Sequence, residues 1–389
     1  MKIEKIKFNN HKILGNLEVD FHDKDGQILD TIVIIGENGS GKTTLLKEIY
    51  CLSSLIGGPS CIEISGSKYV IRDELIVNLE SIDEKKLFHT LFLDDRYGIG
   101  VSVNKQTPKI VYMPTEINFE KINKVDNTFN FTPNFQNIID QNMTQNIPSL
   151  IATKINKEIF RNRNKTIGEV IDKVCEDINS IFKVMDLDVK LVGLSEDNDI
   201  RPVFKNSLGK EFDISGLSSG EKQLFLRALS LKFLEVNNSV ILIDEPEISL
   251  HPQWQQKIIQ VYESIGENNQ LIIATHSPHI IGDIEAKQLR VIKRDNNGIS
   301  VVDNNQLTET YGKSTGDILS TTMKLESLRN EDITEKLNKV YFLLNQNLYQ
   351  TEEFNETFDY LRKYLGDLDK DIMRIRLDIS VRNKKNAKS

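Results

Sequence analysis

The chain opens on short runs in which apolar positions recur as they do in strands. Ile3, Ile6 and Phe8 form one segment, and Leu17, Val19 and Phe21 form a second. A third, Thr31-Ile-Val-Ile-Ile35, reads as a strand covered on both faces. It ends in a glycine-rich turn, after which Thr43 to Leu52 takes helical spacing. Residues 53–115 hold further β-like runs, among them Tyr69-Val-Ile and Lys109-Ile-Val-Tyr-Met113. From 116 to 190 the composition shifts to Asn, Gln, Ile and Lys, and stretches such as 167–184 repeat apolar residues at helical intervals. Between 203 and 300 the pattern predicts a helix over 221–235, a buried strand over 239–243 and a helix over 252–265, then strands over 270–274 and 289–293. Beyond 307 it is helical, with apolar positions in 333–344 and 354–365, and it closes on a basic tail from Arg382 to Lys388.

These elements predict an α/β fold with a helical insertion and a C-terminal helical region. The expected segments are 1–115, 116–202, 203–305 and 306–389. Sustained heptads are absent, so the insertion is not a long coiled-coil arm.

Composition narrows the function. With 389 residues, 39% of them hydrophobic and 27% charged, the chain can bury a substantial core. A net charge of −8 argues against a globally basic nucleic-acid coat. Cys51, Cys61 and Cys175 show no CxxC spacing, which disfavours a zinc site or a disulfide framework. The opening residues lack a signal-peptide core, and no apolar run reaches the roughly 20 residues that span a bilayer. A cytoplasmic protein with no membrane partner is expected.

The chemistry is concentrated in a few motifs. Gly36-Glu37-Asn38-Gly39-Ser40-Gly41-Lys42-Thr43 matches GxxxxGK[ST] in full and lies between a buried strand and a helix, with Thr44 next. Glycines at these places let backbone N–H groups turn inward around phosphates, and the helix N-terminus adds partial positive charge. Lys42 is then the ligand of the β- and γ-phosphates of ATP, and the Thr43 hydroxyl a ligand of Mg²⁺. In Val240-Ile-Leu-Ile-Asp244-Glu245-Pro246 a buried strand delivers two acids at its carboxyl end, where ligands bind in open α/β sheets. Asp244 would hold Mg²⁺, and Glu245 would polarise the attacking water as general base. Alone, two acids after a strand make an ordinary solvated turn; the phosphate loop changes their reading.

Leu217-Ser218-Ser219-Gly220-Glu221-Lys222-Gln223 at the start of a helix resembles the signature motif of ABC-type ATPases, with Ser219 and Glu221 departing from the LSGGQ form. The resemblance implies that Ser218, Ser219, Gly220 and Glu221 approach the γ-phosphate held by a second subunit. A hydroxyl, a small residue and a helix N-terminus suit an anion; they also make an ordinary N-cap. Leu271-Ile-Ile-Ala-Thr275-His276-Ser277 resembles the family's switch segment, which makes His276 a γ-phosphate sensor. His279 has no further ligands nearby in sequence to make a metal site. The turn Ser249-Leu250-His251-Pro252 resembles RecF, SMC-like and OLD-family proteins rather than transporters. The opening strand Ile6-Lys-Phe-Asn-Asn-His-Lys12 resembles theirs without the usual arginine. No glutamine follows Met113 where a Q-loop is expected; the residues are Pro-Thr-Glu116.

Tyr311-Gly-Lys-Ser-Thr-Gly-Asp-Ile-Leu319 and the helices beyond it resemble the C-terminal region of stand-alone anti-phage ATPases, such as the PtuA subunits of Septu and retron-Septu systems and the AriA subunits of PARIS. OLD nucleases carry a TOPRIM domain after the switch histidine. Here the one DxD sequence, Asp367-Leu-Asp369, sits among helical charges, so no nuclease site is expected in this chain. The resemblance therefore implies a Mg²⁺-dependent ATPase that works as a homodimer or higher oligomer and gates a separately encoded effector, a nuclease. The alternatives are a RecF-like repair ATPase that clamps DNA and, from another class, an ABC transporter subunit. For the DNA reading the basic residues are Lys154, Lys157, Arg161, Arg163 and Lys165, with Arg382, Lys384, Lys385 and Lys388 in the tail.

Overall fold

In the strand Thr31–Gly36 the first five residues are all β-branched, which stiffens each side chain and favours extended backbone, and all five are buried. The computed structural model describes residues 2–8, 11–56, 64–65, 68–72, 75–80, 108–115, 117, 122–126, 129, 131–134, 136–295, 298–302, 309–323 and 327–386. In chain order the strands are β1 (Lys2–Phe8), β2 (Glu18–Asp20), β3 (Thr31–Gly36), β4 (Ile64–Ser65), β5 (Lys68–Arg72), β6 (Leu75–Glu80) and β7 (Ile110–Met113). They continue as β8 (Gln136–Ile138), β9 (Val189–Leu194), β10 (Pro202–Asn206), β11 (Glu211–Phe212), β12 (Val240–Asp244), β13 (Gln270–Ala274), β14 (Leu289–Asp295) and β15 (Gly298–Val302).

Among the described residues the central sheet has seven strands in the order β15-β14-β3-β13-β12-β7-β8. All its pairings are parallel except that of the edge strand β15. β3, β12 and β13 are buried along nearly their whole length, as parallel strands covered on both faces must be. A second sheet, β2-β1-β6-β5-β4, is antiparallel, and β9, β10 and β11 form a third.

The helix Lys42–Ile56 follows β3 and packs Leu45, Leu46 and Ile49 against Ile32, Ile34, Leu242 and Ile272, all wholly buried. Each such side chain contributes about 1.5–3 kcal/mol relative to exposure. Ile3, Ile6 and Phe8 of β1 share this core. Gln270, itself wholly buried, stitches the sheets together: its Oε1 accepts from the Ile3 amide at 2.7 Å, and its Nε2 donates to the Ile3 carbonyl at 2.9 Å.

Several elements differ from the sequence pattern. The segment read as mostly helical does hold the helices Gln141–Gln145, Ile147–Arg161 and Ile167–Asn179, but it also supplies β8 to the central sheet. β8 is short and polar; pairing with β7, and a bond from the Gln136 side-chain Nε2 to the Tyr50 carbonyl at 2.9 Å, decide its conformation rather than propensity. The expected helix over 252–265 is two pieces, Pro252–Gln255 and Ile258–Glu263. At the break the Lys257 amide bonds Trp254 rather than the residue one turn back, and the Gln255 side chain turns onto the Leu250 carbonyl. β15 pairs beyond the strand expected to be last.

Contacts divide the chain into two units, Met1–Ile318 and Leu319–Ser389. The second has its own core, built by the helices Glu331–Asn345, Glu352–Leu365 and Lys370–Asn386. Ile333, Leu337, Val340, Phe354, Leu361, Ile372 and Ile375 fill it. Arg329 is held there by Asp369 and Asp371 at 2.9 and 2.7 Å.

Candidate active site

β13 lies between β3 and β12, and all three run parallel, so their carboxyl ends share one edge of the sheet. Gly36 ends β3, Asp244 ends β12, and Thr275-His276 follows β13. Three of the four motifs thus meet where the topology puts ligands. Lys42 is the first residue of its helix, and its ammonium donates across the loop to the carbonyls of Gly36 and Glu37 at 2.9 and 3.1 Å. Burial pulls the Lys42 pKa below its ordinary value, while Glu245, Asp244 and Glu247 pull the other way. Gly41 has a φ of +99°, a backbone conformation that favours glycine, and a Cβ there would press on the end of the Leu14 side chain at 2.8 Å. Ser40 is buried, whereas Glu37, Asn38 and Gly39 are exposed, and Thr43 and Thr44 are half-buried.

The Thr43 hydroxyl donates to Asp244 Oδ1 at 3.2 Å, and the Tyr112 hydroxyl lies 3.4 Å from the other carboxylate oxygen. Asp244 is 2% exposed. A hydroxyl and a carboxylate oxygen converging on one point fit Mg²⁺, which takes hard oxygen donors, few of them from protein beside a nucleotide. Burial, followed by the neighbouring Asp244, pushes the Tyr112 hydroxyl far above its usual pKa, so it stays a neutral donor.

Glu245 follows β12 with a left-handed φ of 47°, a strained conformation for a residue other than glycine and one that collects at functional sites. The turn re-aims its carboxylate, whose Oε1 stands 3.7 Å from His276 Nε2. Burial lowers the His276 pKa, and the Lys42 charge lowers it further, against the pull of Glu245 and Asp244. The imidazole is neutral at neutral pH and can therefore accept or donate a hydrogen bond at this place.

A family profile described as "AAA domain, putative AbiEii toxin, Type IV TA system" matches residues 32–282, from β3 to just past the switch segment. The chain belongs to this family. Within it, the chain is 23% identical to the "Retron Vc95 probable ATPase" of Vibrio cholerae serotype O1 biovar El Tor, over 92% of this chain and 87% of that protein. It is 24% identical to the "Septu protein PtuA" of Bacillus mycoides (strain KBAB4), over 93% of this chain but only 50% of the relative's length. Among solved structures, an SmcHead bound to the C-winged helix domain of ScpA aligns with a TM-score of 0.43 at 15% identity, over 78% of this chain and 98% of that one. The matched residues span the phosphate loop, the acidic pair after β12 and the segment after β13, in the order the sequence places them.

The fourth motif of this AAA-family chain caps the helix Ser219–Phe233. Ser218 Oγ accepts from the Glu221 amide at 3.3 Å, and the Glu221 carboxylate accepts from the Ser218 amide at 2.9 Å. This reciprocal capping box spends the polar groups of both residues on each other, and Ser218 and Ser219 are exposed. Gly220 is buried; a Cβ on it would meet the Ser249 carbonyl at 2.8 Å, so the start of this helix sits hard against the turn that follows Glu245. Further along the helix, Arg227 donates to the carbonyls of Pro114 and Thr115 at 3.2 and 2.9 Å, holding the segment after β7. Glu116, where the Q-loop glutamine was sought, lies outside the described residues, as do Asn9 and Asn10 of the opening strand.

Two residues of the site were not singled out in the sequence. Tyr112 is on a strand whose apolar run hides the hydroxyl that reaches Asp244. Glu247 could have been noticed as a third acid beside Asp244 and Glu245. Its Oε1 accepts from the Thr275 hydroxyl at 2.7 Å and from the His276 amide at 2.9 Å. The basic residues considered for DNA are partly engaged: Lys154 binds Asp177 at 2.9 Å, a carboxylate it shares with Lys232, and Arg161 binds Glu158 at 2.9 Å. In the second unit Asp367 is held by Arg362 and Arg376. No helix among the described residues is long and apolar enough to cross a membrane.

Proposed function

We propose that this chain binds and hydrolyses ATP with Mg²⁺ as the motor subunit of a cytoplasmic anti-phage complex, gating an effector nuclease encoded separately. One observation carries the hydrolytic part. Glu245 and His276 stand 3.7 Å apart on the same sheet edge where Thr43 meets Asp244 at 3.2 Å. In this reading Gly36 to Thr44 cradle the phosphates, with Lys42 leaving its two carbonyl partners for phosphate oxygens. Thr43 and Asp244 would hold Mg²⁺, which when bound offsets charge on the β- and γ-phosphates. Glu245 takes the proton of the attacking water, and His276 orients that water against the γ-phosphate.

The Ser218–Glu221 motif, with Ser218 and Ser219 exposed, is assigned to the nucleotide of a second copy, so the active unit is at least a homodimer. A 1–115 and 203–305 head, a 116–202 insertion and a 306–389 helical region remain the proposed functional segments. The defence role draws support from relatives named for retron and Septu systems. Steady-state phosphate release with ATP and Mg²⁺ tests the enzymatic part. Phage plating on cells carrying this gene with and without its neighbours tests the biological part. Absence of turnover in the purified oligomer would overturn the first, and unchanged plating with all neighbours present would overturn the second.

A further inference from the structure

The parallel ladder between β12 and β13 ends at the pair Asp244 and Ala274. One more backbone bond follows, from the Glu245 amide to the Ala274 carbonyl at 2.9 Å. There the two chains part, because Glu245 turns left-handed and the chain doubles back through Ser249, whose φ is 63°. The next amide on the β13 side belongs to His276, and it has lost its ladder partner. Glu247 replaces that partner with a side chain: its Oε1 takes both the His276 amide at 2.9 Å and the Thr275 hydroxyl at 2.7 Å. Thr275 is wholly buried, and its oxygen also accepts the Ser277 amide at 2.9 Å. The Ser277 hydroxyl donates in turn to Gln255 Oε1 at 2.7 Å. The backbone that carries His276 is therefore fastened by Glu247 to the turn that carries Glu245, while the imidazole itself touches only the Glu245 carboxylate in this network.

We propose that Glu247 is a positioning residue for ATP hydrolysis, fixing the distance between His276 and Glu245 through the backbone of the switch segment. The inference rests on the proposed roles of those two residues. Nothing in it needs Glu247 to touch nucleotide or exchange a proton: one acceptor oxygen in the right place is enough. Its other oxygen, Oε2, is buried and takes no hydrogen bond among the described residues, so an amide fits the same space.

The test uses the full-length protein. Glu247→Ala should lower kcat on the order of 10²-fold, the cost of displacing a catalytic group by about 1 Å, with ATP affinity unchanged. Glu247→Gln keeps an acceptor oxygen and should restore most of the wild-type kcat. In a His276→Ala background Glu247→Ala should cost nothing more, since the group it positions is already gone. If the Ala variant does not fold, Thr275→Val removes one of the two donors and should lower kcat in the same direction, with Thr275→Ser restoring it. A wild-type kcat in Glu247→Ala, a Gln variant as inactive as Ala, or full additivity with His276→Ala would each overturn the proposal. Failure of the wild type to hydrolyse ATP would instead sink the proposed function itself, a separate result.

Discussion

Thr43 and Asp244 are 201 positions apart in the chain, yet the hydroxyl of one donates to the carboxylate of the other at 3.2 Å. β13 makes this possible by lying between the strands that deliver them, each strand ending at the same edge. The bond is also what a cation would exchange: both oxygens already face a common point, and neither needs to move far to become a ligand. Burial of Asp244 at 2% exposure keeps its charge from being screened by solvent.

Glu245→Gln keeps the hydrogen-bonding shape of the side chain but removes the carboxylate to which the proposed function assigns the water's proton. ATP binding should persist while turnover falls by about 10²–10⁴-fold. Lys42→Ala should weaken binding itself, because the ammonium that bridges the Gly36 and Glu37 carbonyls is the phosphate ligand in the proposed function. A nucleotide titration run beside the turnover assay separates the two. Wild-type turnover in the Gln variant would remove Glu245 from its role.

Trans assembly of the site has its own signature. Subunits carrying Lys42→Ala and subunits carrying Ser218→Arg should each be inactive alone. Mixed, they form one composite site with both defects and one with none, so ATPase activity should reappear. Ser218 also caps its helix, and losing that cap costs about 1 kcal/mol, so the thermal midpoint of the Arg variant belongs in the same experiment. Activity in either variant by itself would exclude the trans arrangement.

The α/β alternation and the motifs at Gly36, Asp244 and His276 were legible because each depends on local sequence: β-branched runs for the strands, glycines for the loop, acids at a strand end. What sequence did not reveal depends on partners distant in the chain. β8 is a strand only because β7 offers it an open edge. Ile333, Leu337, Phe354 and Leu361, within the helical stretches 333–344 and 354–365, fill the second unit's core, while Phe342, of the same helical period, is 62% exposed. Glu247 is not legible as a site residue because its two donors come from the end of another strand.

His276 should leave a mark on pH stability. Its folded pKa lies below the ordinary 6.5, so between those two values the unfolded chain binds more protons than the folded one. Stability attributable to it is fully present above 6.5 and is lost as pH falls toward the folded pKa. Urea unfolding of the wild type should therefore rise more steeply with pH through this window than that of His276→Gln, which has no group to titrate. Parallel slopes would mean that the imidazole is as readily protonated in the folded protein as in the unfolded.

Removal of the second unit separates nucleotide chemistry from output. Every residue assigned to ATP lies within Met1–Ile318. The helices of Leu319–Ser389 close on their own apolar centre and leave Phe342, Leu368 and Leu377 at 62%, 86% and 68% exposure. A chain ending at Ile318 should bind ATP with wild-type affinity, because Lys42, Thr43 and Asp244 keep all their contacts. It should fail to co-purify the neighbouring gene product and should give no phage protection. Loss of ATP binding in the truncated chain would mean that the units are not separable. Full protection by it would move the effector contact onto the head.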